Sequence, residues 1–177
     1  MTESTDRLLL SSQRESRVSK FRAVVMVLVG LAAILFQVYV PLFFQFLGYL
    51  ELPLLVTVYF ALMRRSPLGG LAVGAAVGLV QDSLAKNPMG MFGIVKTLVG
   101  YFAASVGMRF DVDHTAVRFV LAFFFYIFHQ FFYWLLERAL LNQVVAFEAQ
   151  RTLVLGALNA LVAISLFHFL DKLKEGT

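Results

Sequence analysis

Long apolar runs separated by short polar clusters organise this chain. Residues 1–22 are polar and charged, whereas the stretch from Ala23 to Met63 carries a single charge, Glu51. A helix needs about 20 mostly apolar residues to cross roughly 30 Å of hydrocarbon. That stretch is therefore two spans, and Gly48, Glu51 and Pro53 mark a break at Leu47–Pro53. Span 1 is read over 23–46. Span 2 is read over 52–63 with some help from 47–51, so it is tilted, buried among neighbours or incomplete. A turn at Arg64–Pro67 leads to span 3 over 68–85, and the KNPMG turn at 86–90 leads to span 4 over 91–108. The charged loop RFDVDHTAVR precedes span 5 over 117–136. A more polar connection over 137–151 leads to span 6 over 152–170. The pattern predicts an all-α membrane protein of six transmembrane helices. A charged cytoplasmic arm over 1–22 precedes the helical domain of 23–170, and a cytoplasmic tail of 171–177 follows it.

Six spans place both termini on one side, and the basic residues indicate which. Arg7, Arg14, Arg17, Lys20, Arg22, Arg64, Arg65, Arg109, Arg118, Lys172 and Lys174 fall on the side of the termini. Only Lys86, Arg138 and Arg151 fall on the other, and Lys96 lies inside span 4. Positive residues concentrate in cytoplasmic loops, so both termini are expected in the cytoplasm. The apolar run after the arm is too long for a cleavable signal peptide, and no small-x-small site follows it. Span 1 reads as a signal anchor, and the short loops leave no room for a catalytic domain outside the membrane.

Composition agrees with the pattern. The chain is 60% hydrophobic and 15% charged, where soluble domains are about a quarter charged. The absence of cysteine removes disulfides, thiolate catalysis and Cys-based metal sites. The formal charge of +4 is spread between loops and is not a nucleic-acid signal. His114, His129 and His168 lie in a loop and two different helices, and no HExxH or carboxylate cluster accompanies them. Ser83 with His129 lacks any nucleophile elbow. No enzyme chemistry, metal or cofactor is expected.

The most informative stretch is GLVQDSLAKNPMGMFGIVKTLVGY, residues 78–101, which sets Asp82, Lys86 and Lys96 into otherwise apolar sequence. Gly70, Gly74 and Gly78 recur every four residues and share one helix face, which admits a close helix neighbour. Gly93, Gly100, Ala103, Ala104 and Gly107 give span 4 a similar small face. The turn with Pro88 and Gly90 makes the two spans an antiparallel hairpin. Asp82 and Lys96 stand at similar depth, roughly 6–9 Å from that turn. Charges at such depth usually pair or face a protein-lined cavity, so an Asp82–Lys96 ion pair is expected. The alternative has Lys96 snorkelling outward and Asp82 capping a helix end or meeting interfacial water.

Span 5 carries Tyr126, His129, Gln130, Tyr133 and Glu137 on one helical face. Such a face suits a protein-lined cavity or an interhelical network that Asn159 could join, or plain packing against other spans with no ligand. Trp134, Tyr133 and Glu137 fit an interface belt.

The Gly78, Leu79, Asp82 segment, the Pro88-x-Gly90 turn and the KTLVGY run from Lys96 to Tyr101, with a short second span and an Arg-Arg turn, resemble the rod shape-determining MreD family over about residues 24–170. The resemblance implies a bacterial inner-membrane scaffold of the rod, or elongation, complex that builds side-wall peptidoglycan. MreC would be its main partner, with RodA, a class B penicillin-binding transpeptidase and MreB in the same assembly, and the lipid bilayer around it. It also implies a fold similar to the six-helix substrate-binding subunits of energy-coupling-factor vitamin transporters. A small solute-binding transporter subunit is the rival reading. A solute binder should aim aromatic and polar side chains into one cavity, and a scaffold should present an apolar groove.

Overall fold

The computed structural model describes residues 23–85, 88, 90–142 and 146–174, which leaves the N-terminal arm, Lys86, Asn87 and the last three residues of the tail outside the described residues. Helix is the only regular structure among the described residues. The helices are α1 (Ala23–Tyr39), α2 (Leu52–Arg64), α3 (Pro67–Ala85), α4 (Met91–Gly107), α5 (Thr115–Leu140) and α6 (Ala149–Asp171). Five segments are long and apolar enough to cross a membrane, with α4 a shorter apolar helix of 17 residues.

Local chemistry sets the ends. Span 1, read to residue 46, leaves α-helical geometry after Tyr39, where a 3-10 turn over Val40–Leu42 holds Pro41 as its second residue. Proline has no N–H to give the helix ladder and its ring clashes with the preceding turn. A second 3-10 turn over Gln45–Tyr49 brings the chain to Glu51, and Pro53 sits at the start of α2, where a missing N–H costs nothing. α5 runs further at both ends than 117–136, and the polar connection shrinks because α5 continues to Leu140 and α6 starts at Ala149.

α2 is short because it is central. Every residue from Pro53 to Met63 is buried, and α2 contacts each of the other five helices. Only its ends must reach the interfaces, and the 3-10 turn before it completes the crossing. The most extensive interface joins α3 to α4, followed by α5 with α6 and α2 with α4. Along the α3–α4 seam, a β-carbon added at Gly70 would meet the Gly100 carbonyl, one at Gly74 the Lys96 carbonyl, and one at Gly78 the Phe92 carbonyl. The two backbones touch, as small-residue stripes permit in lipid. At the turn, Gly90 has φ 99°, a left-handed conformation that glycine adopts without strain. Pro88 lies before it, and its carbonyl accepts the Met91 N–H at 3.3 Å.

The end of the bundle where α5 begins and α6 ends is closed by a charged clasp. Buried Arg118 donates to Asp171 at 2.5 Å and to the Val112 carbonyl at 2.7 Å. Asp171 also accepts from the Tyr59 hydroxyl at 2.8 Å and pairs with Lys174 at 2.7 Å. Four segments are thereby tied together: α2, the α4–α5 loop, α5 and α6. Removing Arg118 strands a carboxylate and frees a buried carbonyl. Arg118→Met should cost about 2–3 kcal/mol, partly offset by Lys174. Thermal unfolding in detergent followed by circular dichroism reads this, and an unchanged midpoint would show that the clasp is not structural.

Candidate functional site

The polar residues that the sequence scatters over four spans gather near the opposite end of the bundle, where α2 and α4 begin. Lys96 is fully buried. Its ammonium lies 3.2 Å from His129 Nε2, 3.9 Å from Glu51 Oε2 and 4.2 Å from the centre of the Phe92 ring. An ammonium can only donate, so it bonds to His129 through an imidazole that accepts at Nε2 and carries its hydrogen on Nδ1. His129 Nδ1 and Glu51 Oε2 have no hydrogen-bond partner among the described residues. Phe92 stacks on His129 at 5.8 Å and on Tyr133 at 4.8 Å. The ammonium is therefore held by an imidazole, a carboxylate at the long limit of an ion pair, and the negative face of a ring.

Asp82 does not pair with Lys96. Its carboxylate accepts the backbone N–H groups of Gly90 at 3.0 Å, Phe92 at 3.1 Å and Gly93 at 3.0 Å. These are the donors that the first turn of α4 leaves unsatisfied, and a carboxylate there also meets the positive end of the helix dipole. Asp82 thus caps α4 from α3, and Lys96 is buried and does not snorkel. Equal depth is not equal direction: the α4 start stands nearer to Asp82 than the Lys96 head does.

Glu51 and Asn159 complete the network. Asn159, buried in α6, accepts the Glu51 N–H at 2.8 Å and donates to the Tyr49 carbonyl at 2.9 Å. It anchors the non-helical entry to α2 and so positions the Glu51 carboxylate. The polar face of α5 divides. His129 turns inward to Lys96, while Tyr126, Gln130, Tyr133 and Glu137 line a cavity of about 320 Å³. Glu51, Trp134, Phe147, Glu148 and Arg151 also line it. At its mouth Arg151 pairs with Glu148 at 3.2 Å and lies over the Tyr49 ring at 5.4 Å. Ser83 is exposed and donates to the Leu79 carbonyl of its own helix at 2.9 Å. No group of three metal-ligating side chains occurs among the described residues.

A second concavity, of about 520 Å³, lies between α1 and α3. It is apolar, with Gly30, Ile34, Ala72 and Ala76 in its walls and Arg64 at one end. The sequence reading passed over this groove, Glu51 as a partner, Phe92 as a cation-binding ring and the Arg118–Asp171 clasp. Glu51 had one visible signal: a lone acid beside a proline inside an apolar run.

Residues 18–175 match the family described as rod shape-determining protein MreD. The chain belongs to the MreD family. No curated protein matches it, and no solved structure does. As a MreD protein it is a multi-pass protein of the bacterial inner membrane with a role in rod shape determination. The MreD match covers every described helix, so the polar network, the cavity and the apolar groove all lie within the family region.

Proposed function

We propose that this MreD protein is a non-enzymatic scaffold of the rod complex, which holds MreC by helix-to-helix contact within the bilayer and so supports side-wall peptidoglycan synthesis. RodA, a class B penicillin-binding transpeptidase and MreB belong to the same assembly in this reading. The observation that carries it is the apolar groove between α1 and α3. Helices associate in lipid through close packing against small residues, and the groove offers Gly30, Ala72 and Ala76 along its length. The flank of α5 is a lesser candidate. Phe124 and Phe131 are exposed there, but Phe123 and Phe128 pack against the core. Cysteines in this Cys-free chain at Val27, Ala76, Phe124 and Leu161 are expected to crosslink MreC from Val27 and Ala76. Capture from the loops alone would refute docking within the membrane.

The scaffold is read with both termini cytoplasmic, residues 1–22 as an arm, 23–170 as the membrane domain and 171–177 as a tail. The uneven distribution of basic residues supports this topology. Cysteines at Arg64 and Asp113 should label only from the cytoplasm, and one at Asn87 only from outside. External labelling at Asp113 would overturn the six-span arrangement. A fold related to the energy-coupling-factor subunits remains part of the reading.

The cavity beside α5 favours a second reading, a solute-binding subunit of the vitamin-uptake type. Purification from the native membrane separates the two: MreC accompanies a scaffold, and an ATPase module accompanies a transporter subunit.

A further inference from the structure

Among the described residues, the cavity beside α5 holds one carboxylate without a partner. Of its three carboxylates, Glu148 is paired with Arg151 at 3.2 Å and Glu51 has the Lys96 ammonium 3.9 Å away. The Glu137 carboxylate has no hydrogen bond or ion pair among the described residues, although the residue lines the cavity and is half-buried. The walls near it are aromatic: Tyr126, Tyr133, Trp134 and Phe147, with Tyr49 at the mouth. A free carboxylate among ring faces is the chemistry that holds an organic ammonium, because the rings attract a cation as water leaves it. An anion would meet Glu137 and the ring faces, and an apolar ligand would leave the carboxylate desolvated and unpaired. A metal ion has only one uncommitted carboxylate to bind. Arg151 lines the cavity and gives one N–H to Glu148, and its remaining guanidinium N–H groups can donate to a phosphate or hydroxyl attached to the ammonium.

We propose that this cavity binds an organic ammonium group against Glu137, of the kind carried by an ethanolamine-type phospholipid headgroup or a free phosphorylated amine. The proposal stands independently of scaffold activity. Space permits it: roughly 320 Å³ admits a headgroup and not a whole phospholipid, so a lipid would insert its head and leave its chains in the bilayer. Trp134, Tyr133 and the polar ends of α5 and α6 suit a membrane interface, where such headgroups lie.

Trp134 is the only tryptophan in the chain and lines the cavity, so its fluorescence reports this site. Purified protein is placed in nanodiscs of phosphatidylglycerol with or without phosphatidylethanolamine, and separately titrated in detergent with phosphoethanolamine. The expected result is a saturable change in Trp134 emission that depends on the ethanolamine lipid and weakens about tenfold in Glu137→Gln, the loss of one charge-assisted contact. A response in nanodiscs alone identifies the source as lipid. A response to soluble phosphoethanolamine as well identifies the free amine as sufficient. Identical emission in both nanodisc types, with no response to phosphoethanolamine, overturns the proposal in the wild-type protein alone. An ethanolamine response of unchanged affinity in a folded Glu137→Gln variant also overturns it.

Discussion

Gly74→Leu is expected to abolish the folded, monodisperse protein. Gly74 faces the Lys96 carbonyl so closely that even a β-carbon would overlap it, and Gly78 and Gly70 meet the Phe92 and Gly100 carbonyls in the same way. Backbone atoms cannot rotate aside as the tip of a side chain can. A leucine must push α3 and α4 apart, and the short turn that joins them lets the hairpin open only by splaying. Splaying removes the largest helix interface in the bundle. It also draws Lys96 away from His129 and Glu51, and the α4 start away from its Asp82 cap. Overpacking of a core by side chains alone costs about 1–3 kcal/mol; here the clash is with backbone, so the loss is larger. Ala72→Leu is the control, since Ala72 is on the same helix but exposed. Membrane yield and the size-exclusion profile in detergent give the readout. Equal behaviour of the two variants would mean that close backbone approach is not what holds the hairpin.

The helices were legible because their signal is local. Runs of apolar residues near bilayer length, interrupted by Arg64–Pro67, Pro88–Gly90 and the loop before Thr115, place α2 to α6 within a few residues of their boundaries. Pro41 shortened α1 because a single missing N–H outweighed a continuous apolar pattern. Partners were less legible, for a geometric reason. Hydropathy gives the depth of a residue along the bilayer normal, but pairing also requires its direction around the helix. Asp82 and Lys96 share depth on adjacent helices, yet the Asp82 oxygens are occupied by three N–H groups of the turn and the first turn of α4. Glu51 marked a break between spans, and its role depends on α2 passing through the centre of the bundle. Tyr59, Arg118 and Asp171 are far apart in sequence, and only the closing of α5 and α6 around α2 makes them one clasp. The α5 face divides because His129 points toward α4 while Gln130 and Glu137 point toward α6 and the loop before it.

Lys96→Met should be the most damaging of the charge substitutions, and Glu51→Gln should rescue it. Lys96 has no exposed surface and the Glu51 side chain has 14%. Removing the ammonium leaves the Glu51 carboxylate without a countercharge and His129 Nε2 without its donor. Breaking a buried pair from one side costs about 3–5 kcal/mol, much of it the cost of the charge left behind. Glu51→Gln alone is milder, because Lys96 keeps His129 and the Phe92 ring while losing a contact already as long as 3.9 Å. In the double variant no net charge is stranded, and methionine fills the Lys96 stem volume against Phe92. The double variant should therefore be more stable than Lys96→Met. Asp82→Asn is expected to lose about 1–3 kcal/mol through its three backbone contacts. Asp82 and Lys96 both engage Phe92, one through its N–H and the other through its ring, so a small coupling is expected between them, weaker than that between Glu51 and Lys96. Thermal midpoints of the five variants, followed by circular dichroism in one detergent, complete both cycles. Strong coupling of Asp82 to Lys96, with additivity between Glu51 and Lys96, would reverse the assignment of the Lys96 countercharge.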